Sequence, residues 1–541
     1  MQGLMMAYPL TLRMILDRAR LLFRKQEIVT RGVTGTHRYS YGDFHRRTCR
    51  LANVLKKLGA KPGDRIATLA WNTHTHLEVY LGAPCYGAVL HTLNLRLAPD
   101  QIGYIANHAE DSIIFVDQNL LPLLEQFRSM VPSLRHIVVM NEEKETATSL
   151  DPVLHYEGLL SEASPEYDWP QLDEGTAAAM CYTSGTTGKP KGVLYSHRCL
   201  VLVSMALAHA DSFGLSENDV VMPVVPMFHA NAWGIPVAAM MFGSKQVFPG
   251  PNLQARRVAE LIQEERVTLT AGVPTIWTSL LALLDKEKYD ISSLRLCVCG
   301  GSAVPRSTIE TFKKKFGVTM CHAWGMTETS PLGTISKLRS YMKDWPEDKQ
   351  YDTLALQGSP LPGVEIRAVD GEGKEIPWDG ETLGELQVRG PWVIRSYYKE
   401  PPSGDSFMDG WFRTGDVVSI NEDGYIHVAD RTKDLIKSGG EWISSVDLES
   451  TIMAHPKVLE AAVVAVPHPK WQERPVACVV PKPEFAGTLT KEDILEFLRP
   501  RVARWWLPDD VVFIDAVPKT SVGKFDKKSL RAQFKNYVLP E

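Results

Sequence analysis

The sequence predicts an α/β protein, with a large layered α/β domain over residues 1–432 and a small α+β domain over residues 433–541. Three observations lead to this prediction. Short β-rich segments alternate with segments of helical periodicity through about the first four hundred residues, which is typical of layers built on largely parallel sheets. Glycine then becomes frequent, which predicts a β-rich subdomain at about 355–430. The last ~110 residues have strands and a helix of their own, as an independent domain would.

The elements of the N-terminal part follow from hydrophobic periodicity. Residues 65–71 predict a strand, after which a helix begins at about Thr75. Ile102 and Ile105 lie at helical spacing, and the apolar run 112–116 predicts a buried strand. The same alternation returns later, with a predicted helix at 256–265 and predicted strands at 267–270 and 294–299.

The elements of the C-terminal part are bounded by turn residues and by a helix cap. Strands are predicted at 384–389, 461–466 and 476–480. A helix is predicted to begin at Lys491, because Thr490 precedes it and Asp493 follows Thr490 by three residues. That spacing is typical of a capping box, in which the two side chains satisfy each other's backbone N–H groups.

Length and composition exclude several classes of protein. The chain has 541 residues, of which 44% are apolar and 23% charged, and this balance excludes disordered and fibrous chains. Lys and Arg number 59 against 64 Asp and Glu, for a net charge of −5. So mild a charge argues against nucleic-acid binding and against polybasic attachment to membranes. The composition favours a protein that acts on small molecules.

Cysteine usage and the N-terminal residues predict the compartment. Eight cysteines are spread along the chain, far below the density of a disulfide scaffold, and this predicts a reducing environment. The first residues contain no secretory apolar segment of useful length, so we expect a cytoplasmic protein. Cys297 and Cys299 form the one close pair, but they lie in a predicted strand without a second pair, and a zinc site is disfavoured.

The segment 220–244 contains no charged residue and has the length of a membrane-spanning helix. Three prolines, His229 and Asn231 would each be costly in a bilayer, and no basic flank orients the segment. We therefore expect these residues to be buried in the protein and to carry part of a site.

Residues 182–192 read Tyr-Thr-Ser-Gly-Thr-Thr-Gly-Lys-Pro-Lys-Gly and give the strongest local signal. Their glycines and hydroxyl side chains offer hydrogen-bond donors that suit the oxygens of a polyphosphate. The segment does not match the Walker phosphate loop, because Lys189 is followed by Pro190 and no glycine lies five positions before Gly188. The pattern favours a phosphate-binding loop, with a plain flexible surface loop as the alternative.

Residues 183–192 resemble the phosphate-binding signature of the adenylate-forming superfamily, which includes acyl-CoA synthetases, firefly luciferase and the adenylation domains of peptide synthetases. Further motifs match those of the family in the same order, so the resemblance covers almost the whole chain. It implies that the loop binds ATP through Thr183, Ser184, Gly185, Thr186, Thr187, Gly188 and Lys191.

Two motifs in the middle of the chain are expected to hold the nucleoside and the metal. Residues 300–305 follow a predicted strand, where open α/β sheets bind ligands. The resemblance implies adenine contacts from Gly301, Ser302 and Ala303, and further nucleotide contacts from Trp324, Gly325 and Met326. It places Thr327 near the α-phosphate and makes Glu328, with Thr183, a ligand of Mg²⁺. Many relatives have Tyr where this chain has Trp324, a change that keeps an aromatic face for stacking.

Motifs nearer the C-terminus are expected to supply the ribose contact and a hinge. Asp416 ends the run 411–416 as a lone carboxylate at a turn, where it can accept hydrogen bonds from both ribose hydroxyls, with a plain turn as the alternative. The resemblance implies that Arg431 also approaches the ribose or phosphates and that Lys433 is the pivot of a mobile C-terminal domain. It further implies that the pantetheine arm of CoA passes Gly439 and Gly440 and that Trp442 also contacts the cofactor.

Lys524 and His229 complete the set of expected catalytic residues, with Thr327 and Glu328. Lys524 lies in a glycine-containing loop, from which a lysine can reach a cleft as a mobile charge. In the family this lysine neutralises charge on the carboxylate and α-phosphate, and a histidine at the place of His229 gates the acyl tunnel. Trp233 is expected to line the acyl pocket. For His229 the alternative is a satisfied histidine of the core.

The resemblance implies an ATP-dependent acid–thiol ligase that uses Mg²⁺ and coenzyme A and passes through an acyl-adenylate. No acidic residue occurs between Asp219 and Glu260, which disfavours an amino-acid substrate. Three segments, 70–76, 93–97 and 504–509, resemble those of bacterial medium-chain fatty acyl-CoA synthetases and methylmercaptopropionate-CoA ligases. These two substrates, and other short or aromatic acids, stay open. A luciferase-like oxygenase and a nucleotide-binding protein without catalysis are the more distant alternatives.

CoA is favoured as the acceptor because no carrier domain follows, and a homodimer is one of the assemblies left open. Aromatic faces and cations that could hold the CoA nucleotide are offered by Trp471, Arg474, Arg501, Arg504 and Trp505, with core packing as the alternative for the tryptophans.

Overall fold

The structure is a computed structural model that describes residues 1, 3–33, 35–141, 148–183, 189–401, 406–431, 434–438, 441–521, 523–535 and 537–539. Its helices are α1 (Leu12–Leu22), α2 (Tyr41–Lys57), α3 (His74–Tyr86), α4 (Pro99–Ala109), α5 (Leu121–Phe127), α6 (Tyr156–Glu162), α7 (His197–Ala208), α8 (Ile235–Phe242), α9 (Ala255–Glu265), α10 (Pro274–Leu284), α11 (Arg306–Phe316), α12 (Glu347–Ala355), α13 (Ser445–Met453), α14 (Lys491–Leu498) and α15 (Lys527–Gln533).

The first strands belong to the N-terminal part of the chain. They are β1 (Glu27–Arg31), β2 (Thr36–Ser40), β3 (Arg65–Leu69), β4 (Val89–Thr92), β5 (Asp111–Asp117), β6 (His136–Met140), β7 (Leu154–His155), β8 (Ala177–Tyr182), β9 (Gly192–Ser196), β10 (Val220–Pro223), β11 (Lys245–Phe248), β12 (Leu269–Gly272), β13 (Leu296–Gly300), β14 (Thr319–Gly325), β15 (Leu332–Ile335) and β16 (Ser359–Pro360).

The remaining strands form the C-terminal sheets. They are β17 (Glu365–Val369), β18 (Gly384–Arg389), β19 (Phe407–Met408), β20 (Trp411–Ile420), β21 (Ile426–Arg431), β22 (Ile436–Ser438), β23 (Glu441–Ile443), β24 (Val458–His468), β25 (Gln472–Pro481) and β26 (Asp510–Phe513).

Two large sheets form the N-terminal part. The seven-stranded sheet has the order β7-β6-β5-β3-β4-β8-β9, and the nine-stranded sheet has the order β16-β15-β14-β13-β12-β10-β11-β1-β2. Among the described residues of these two sheets, antiparallel pairs occur only toward the sheet ends, at β8–β9, β14–β15, β15–β16 and β1–β2. Strands β5 and β13 are buried along their whole length, as expected for parallel strands with helices on both faces. The predicted layered α/β plan is confirmed.

Two smaller sheets follow. Strands β17, β18, β20 and β19 form an antiparallel sheet with β21 added to β20, and this sheet occupies most of the predicted β-rich region. The last sheet has the order β23-β22-β25-β24, with β26 parallel to β25. It has its own apolar cores, one around Ile436 and Leu448 and one around Val464 and Leu530. Local capping also agrees with the sequence, because Thr490 and Asp493 form the predicted capping box at the start of α14.

The uncharged segment 220–244 is folded into the core. It comprises β10, a turn and α8, and its apolar side chains are largely buried. In the part of the chain that the structure describes, no helix is long and apolar enough to cross a membrane. Cys297 and Cys299 lie in β13, as predicted, and both are buried free thiols.

Candidate active site

The candidate site forms at the carboxyl edge of the nine-stranded sheet. Strands β13 and β14 run parallel with Gly300 beside Ala323, so the motifs that follow them leave the sheet at the same edge. Gly301 has a φ of +88°, and a Cβ atom there would lie 3.1 Å from Cε of Lys524. The glycine is therefore required both by its backbone conformation and by the close approach of the lysine. Ser302 and Ala303 continue this turn toward α11.

Lys524 reaches this edge from a short loop of the C-terminal part. The Thr520 N–H donates to the Lys524 carbonyl at 2.7 Å, and the Thr520 hydroxyl accepts from the Lys524 N–H at 3.2 Å. The loop contacts the N-terminal part directly, since the Asn94 amide donates to the Ser521 hydroxyl at 2.9 Å. The expected catalytic lysine thus lies against the expected adenine loop, although Gly301 and Lys524 are far apart in the sequence.

The pKa of Lys524 is set by opposing effects of its surroundings. Burial and the nearby Arg431 guanidinium lower the pKa of Lys524 to about 8, while the carboxylates of Asp416 and Glu328 act in the opposite direction. The ammonium group is therefore partly desolvated before any anion arrives. The electrostatic attraction between such a group and an incoming phosphate or carboxylate is stronger than the attraction that a fully hydrated lysine would exert.

Asp416 is held by two donors from distant parts of the chain. The Trp324 indole N–H donates to Oδ2 at 2.9 Å, and the Arg431 Nε lies 2.6 Å from Oδ1. Only 3% of Asp416 is exposed. Trp324 packs against Gly333, where a Cβ would lie 2.4 Å from the indole ring. The sequence reasoning predicted Trp324 as a stacking face and missed its hydrogen bond to Asp416, because no local pattern links residues 92 apart.

Glu328 lies in the turn Thr327–Thr329 and is buried. The Tyr397 hydroxyl donates to its Oε1 at 2.8 Å, and the Lys191 Nζ lies 4.5 Å from the centre of the Tyr397 ring. Burial raises the pKa of Glu328, and the bond from Tyr397 partly offsets that rise. Tyr397 was also missed by the sequence analysis, since only its place beside Glu328 in the fold marks it. The Thr327 carbonyl is fixed by the Tyr195 hydroxyl at 2.8 Å.

The base of the phosphate-binding loop is closed by Thr183 and Lys191. The Thr183 N–H donates to the Lys191 carbonyl at 3.0 Å, and the Lys191 N–H donates to the Thr183 hydroxyl at 3.1 Å. The predicted phosphate contacts at Ser184, Gly185, Thr186, Thr187 and Gly188 lie outside the described residues. Oxygen ligands are those that Mg²⁺ prefers, so Glu328 and Thr183 offer the right chemistry for that ion. A narrow cavity borders Thr183, Phe228 and His229.

His229 stands at the start of an unusual turn. Burial, together with repulsion from Lys524 and Arg96, lowers the pKa of His229 to about 3, so the imidazole is neutral at physiological pH. The residues after it all have positive φ: Ala230 at 42°, Asn231 at 51°, Ala232 at 48°, Trp233 at 57° and Gly234 at 70°. A left-handed conformation costs roughly 1–2 kcal/mol for a residue with a Cβ atom.

This left-handed turn brings Trp233 to the edge of the sheet. A Cβ atom at Gly300 would lie 3.3 Å from the tip of the Trp233 indole. The expected acyl-pocket residue and the expected catalytic lysine therefore meet successive glycines, Gly300 and Gly301. Gly325 is also required by packing, because a Cβ there would lie 1.8 Å from the Pro331 carbonyl oxygen, and the next N–H, from Met326, donates to that oxygen.

The structure describes only some of the predicted hinge and CoA residues. Lys433, Gly439 and Gly440 lie outside the described residues. Trp442 is exposed on β23, with the Lys437 Nζ at 4.9 Å from its ring centre. Trp471 and Trp505 are each 42% exposed.

Arg474 departs from the expectation that it is free to hold CoA. Its guanidinium donates to Asp509 and Ser438 and to the backbone carbonyls of Trp505 and Leu507. The arginine therefore ties the last sheet to the segment before β26, and it has little capacity left for a ligand phosphate.

Comparisons with known proteins find relatives that match almost the whole chain. The family model described as AMP-binding enzyme matches residues 19–398, and the model described as AMP-binding enzyme C-terminal domain matches residues 447–524. A long-chain-fatty-acid–CoA ligase of Thermus thermophilus is 48% identical, over 98% of this chain and 97% of its own. A 3-methylmercaptopropionyl-CoA ligase of Ruegeria lacuscaerulensis is 46% identical over 99% of each chain. A medium-chain-fatty-acid–CoA ligase of Ectopseudomonas oleovorans is 42% identical, over 100% of this chain and 98% of its own.

A solved structure shares the architecture. The crystal structure of the anthranilate CoA ligase AuaEII in complex with anthranoyl-AMP superposes with a TM-score of 0.87 at 26% identity, over 98% of each chain. The fold class, the resemblance and the predicted enzyme class, an ATP-dependent acid–CoA ligase, are confirmed. The chain belongs to the AMP-binding enzyme family of adenylate-forming acyl-CoA synthetases.

Proposed function

We propose that the enzyme activates a medium-chain fatty acid as its acyl-adenylate and transfers the acyl group to CoA. The observation that carries the proposal is the position of Lys524 against Gly301, one residue from the contact between Trp233 and Gly300. A cation at this point would stand between the nucleotide side of the site, at Trp324 and Asp416, and the acyl side, at His229 and Trp233.

In the proposed first step a carboxylate oxygen attacks the α-phosphorus of ATP, and the bond to pyrophosphate breaks. Lys524 would neutralise charge on the carboxylate and α-phosphate, and Thr327 would contact the α-phosphate. Catalysis of this step requires alignment and charge neutralisation, and no protein nucleophile. Asp416, fixed by Trp324 and Arg431, would accept from the ribose hydroxyls and so hold the nucleotide in register with Lys524.

Glu328 and Thr183 would hold Mg²⁺, which supplies charge neutralisation at the phosphate oxygens when bound. The hydrogen bond from Tyr397 would orient the Glu328 carboxylate toward that role. Lys191, placed over the Tyr397 ring and 3.1 Å from Glu400, would keep the end of the phosphate-binding loop beside Glu328.

In the proposed second step the CoA thiol attacks the acyl carbonyl, and AMP leaves. Lys524 occupies the edge of the sheet in the present arrangement, so a path for the thiol is best provided by rotation of residues 433–541 about Lys433. That rotation would bring Gly440 and Trp442 to the acyl-adenylate, while Trp471 and Trp505 offer exposed faces for the CoA adenine.

The apolar composition of segment 220–244 supports the proposal that the acyl chain is uncharged. Its aliphatic, methionine and aromatic side chains are largely buried, and an adaptable apolar wall suits a saturated chain. Trp233 closes against Gly300, which favours medium over long chains. Methylmercaptopropionate is the second candidate, since the relative that acts on it is 46% identical. We propose a cytoplasmic enzyme without a nucleic-acid partner, with a homodimer as the assembly to test.

A pyrophosphate-release screen tests the proposal. Straight-chain acids of four to sixteen carbons, methylmercaptopropionate and benzoate are compared, each with and without CoA. We expect release to depend on the acid, to be highest for a medium-length chain, and to yield acyl-CoA only when CoA is present. Acid-dependent release that consumes oxygen and forms no acyl-CoA would contradict the proposal, as would a preference for benzoate.

A further inference from the structure

The left-handed turn Ala230–Gly234 fixes the direction of two side chains of the proposed acyl side. His229 enters the turn and Trp233 lies within it. Four consecutive residues with a Cβ atom adopt positive φ here, which an isolated chain avoids. The surrounding structure must therefore supply contacts that hold the turn, because unfavourable backbone geometry persists only where its surroundings determine it.

One of these contacts comes from a cysteine. The Cys181 thiol donates to the side-chain oxygen of Asn231, with Sγ and Oδ1 3.0 Å apart. Cys181 is buried near the end of β8, next to Tyr182, and burial raises the pKa of the thiol to about 11. The thiol is thus protonated at physiological pH and can act as a donor. The Thr92 hydroxyl lies 3.4 Å from the same sulfur and 3.4 Å from the Phe228 carbonyl oxygen, which adds a second polar group beside the turn.

Asn231 suits both the left-handed backbone of the turn and the buried hydrogen bond to Cys181. Asparagine enters the left-handed region more readily than other residues with a Cβ atom. Its side chain is 3% exposed, so its oxygen has lost contact with water and needs a donor from the protein. If this position only had to be filled, an apolar side chain would be expected there. The combination of a buried amide and a buried thiol indicates a hydrogen bond that holds the turn.

The hydrogen bonds that hold residues 223–227 do not involve the turn, so they should remain when the turn relaxes. The Asn72 amide donates to the carbonyl oxygens of Pro223 and Val225 at 2.9 Å each, and its oxygen accepts from the Met227 N–H at 2.7 Å. The Tyr80 hydroxyl donates to the Met227 carbonyl. A change at Cys181 is therefore expected to act on residues 230–234 and to leave the strand-side anchoring intact.

We infer that Cys181 and Asn231 are positioning residues that set which acids the enzyme accepts, because their hydrogen bond holds the left-handed turn and keeps Trp233 against Gly300. The inference rests on the proposed function, in which Trp233 bounds the acyl chain. When the bond is removed, the turn relaxes, the indole leaves Gly300, and longer chains gain access.

The test compares kcat/KM for pyrophosphate release with hexanoate and with dodecanoate in wild type, Cys181→Ala, Cys181→Ser and Asn231→Ala. We expect the dodecanoate-to-hexanoate ratio to rise at least about fivefold in Cys181→Ala and Asn231→Ala, a size ordinary for methylene discrimination in an apolar pocket. Cys181→Ser retains a hydroxyl donor, so its ratio should stay within about twofold of wild type. Cys297→Ala removes another buried thiol, located in β13, and should leave the ratio unchanged.

A purely structural role would lower stability or overall rate without moving the ratio between acids. An unchanged ratio in both Cys181→Ala and Asn231→Ala overturns the inference, as does an equal shift in Cys181→Ser or Cys297→Ala. Should Cys181→Ala fail to fold, as judged by its thermal melt, Asn231→Ala alone decides by the same ratio. Wild type that releases no pyrophosphate with any fatty acid would instead overturn the proposed function.

Discussion

Three uncharged side chains hold the charged groups of the site. Tyr397 donates to Glu328, Trp324 donates to Asp416, and the Thr520 hydroxyl accepts from the backbone N–H of Lys524. The first two bonds join a carboxylate to a neighbour with few rotamers, and the third fixes the backbone from which the Lys524 side chain extends, so the charges are positioned before substrates bind. Charges that are fixed in a buried site stabilise the charge that develops in the transition state more strongly than the same charges would in water.

Tyr397→Phe tests the first of these bonds. Loss of the hydroxyl frees Glu328 to rotate, and a change next to a metal ligand commonly weakens metal binding by 10–100-fold. We expect the Mg²⁺ concentration for half-maximal pyrophosphate release to rise about tenfold, with near-normal rates at saturating Mg²⁺. Tyr398→Phe is the matched control, because Tyr398 packs beside His108 instead of Glu328. An Mg²⁺ requirement equal in the two variants would contradict the role given to Tyr397.

The lowered pKa of Lys524 makes a prediction about pH. Its pKa of about 8 means that the ammonium form dominates below pH 8 and is lost above it. Because kcat/KM reports the free enzyme, kcat/KM for ATP in pyrophosphate release should fall about tenfold for each pH unit above 8. The variant Lys524→Arg is expected to have a lower activity overall. That activity should not decrease further above pH 8, because arginine keeps its charge at every accessible pH. A wild-type profile that is flat from pH 7 to 10 would contradict this assignment.

At the scale of elements, the sheet edge explains why distant motifs meet. β13 and β14 are adjacent and parallel, so Gly300 and Gly325 end at the same edge and their following turns face one site. Gly301 then carries two constraints, a φ of +88° and contact with Lys524. The glycine-rich turn after β13 is thus shaped to admit the lysine as well as a nucleotide.

Gly301→Ala tests this packing. A Cβ atom would meet Cε of Lys524 at 3.1 Å, so we expect pyrophosphate release to fall at least about a hundredfold, since a displacement near 1 Å can cost that much. Gly317→Ala is the matched control, because Gly317 also has positive φ, at +72°, but a Cβ there meets no atom within 4 Å. Both variants should lose similar stability in thermal melts, and only Gly301→Ala should lose adenylation. Equal activity in the two variants would rule out the packing role.

The sequence predicted regular elements better than it predicted the contacts between them. Local signals sufficed for β3, β5 and the capping box of α14, because periodicity and cap chemistry lie within a few residues. The left-handed turn at 230–234 has no comparable local signal, since its support comes partly from Cys181, 50 residues away. The motif residues Gly301 and Lys524 were found through the family resemblance, whereas Tyr397 became apparent only from the fold.

At the scale of the whole molecule, the C-terminal part meets the N-terminal part at two places. At the first, α13 packs against β21 and its start is hydrogen-bonded to that strand. The second is the loop that carries Lys524. Asn94 donates to Ser521, and Lys524 enters the cleft beside Gly301. The last sheet has apolar cores of its own on both faces. A sheet with apolar cores of its own can keep its internal packing while it rotates as a body, as the proposed second step requires.

The most direct test of the account separates the two half-reactions in Lys524→Ala. Pyrophosphate release from ATP and acid is measured first, and conversion of supplied acyl-adenylate with CoA is measured second, beside Lys519→Ala as a control in the same loop, where the lysine pairs with Glu460. The account predicts that Lys524→Ala loses acyl-adenylate formation by at least about a thousandfold and keeps thioester formation near wild type. Equal loss of both half-reactions, or retention of both, would contradict it.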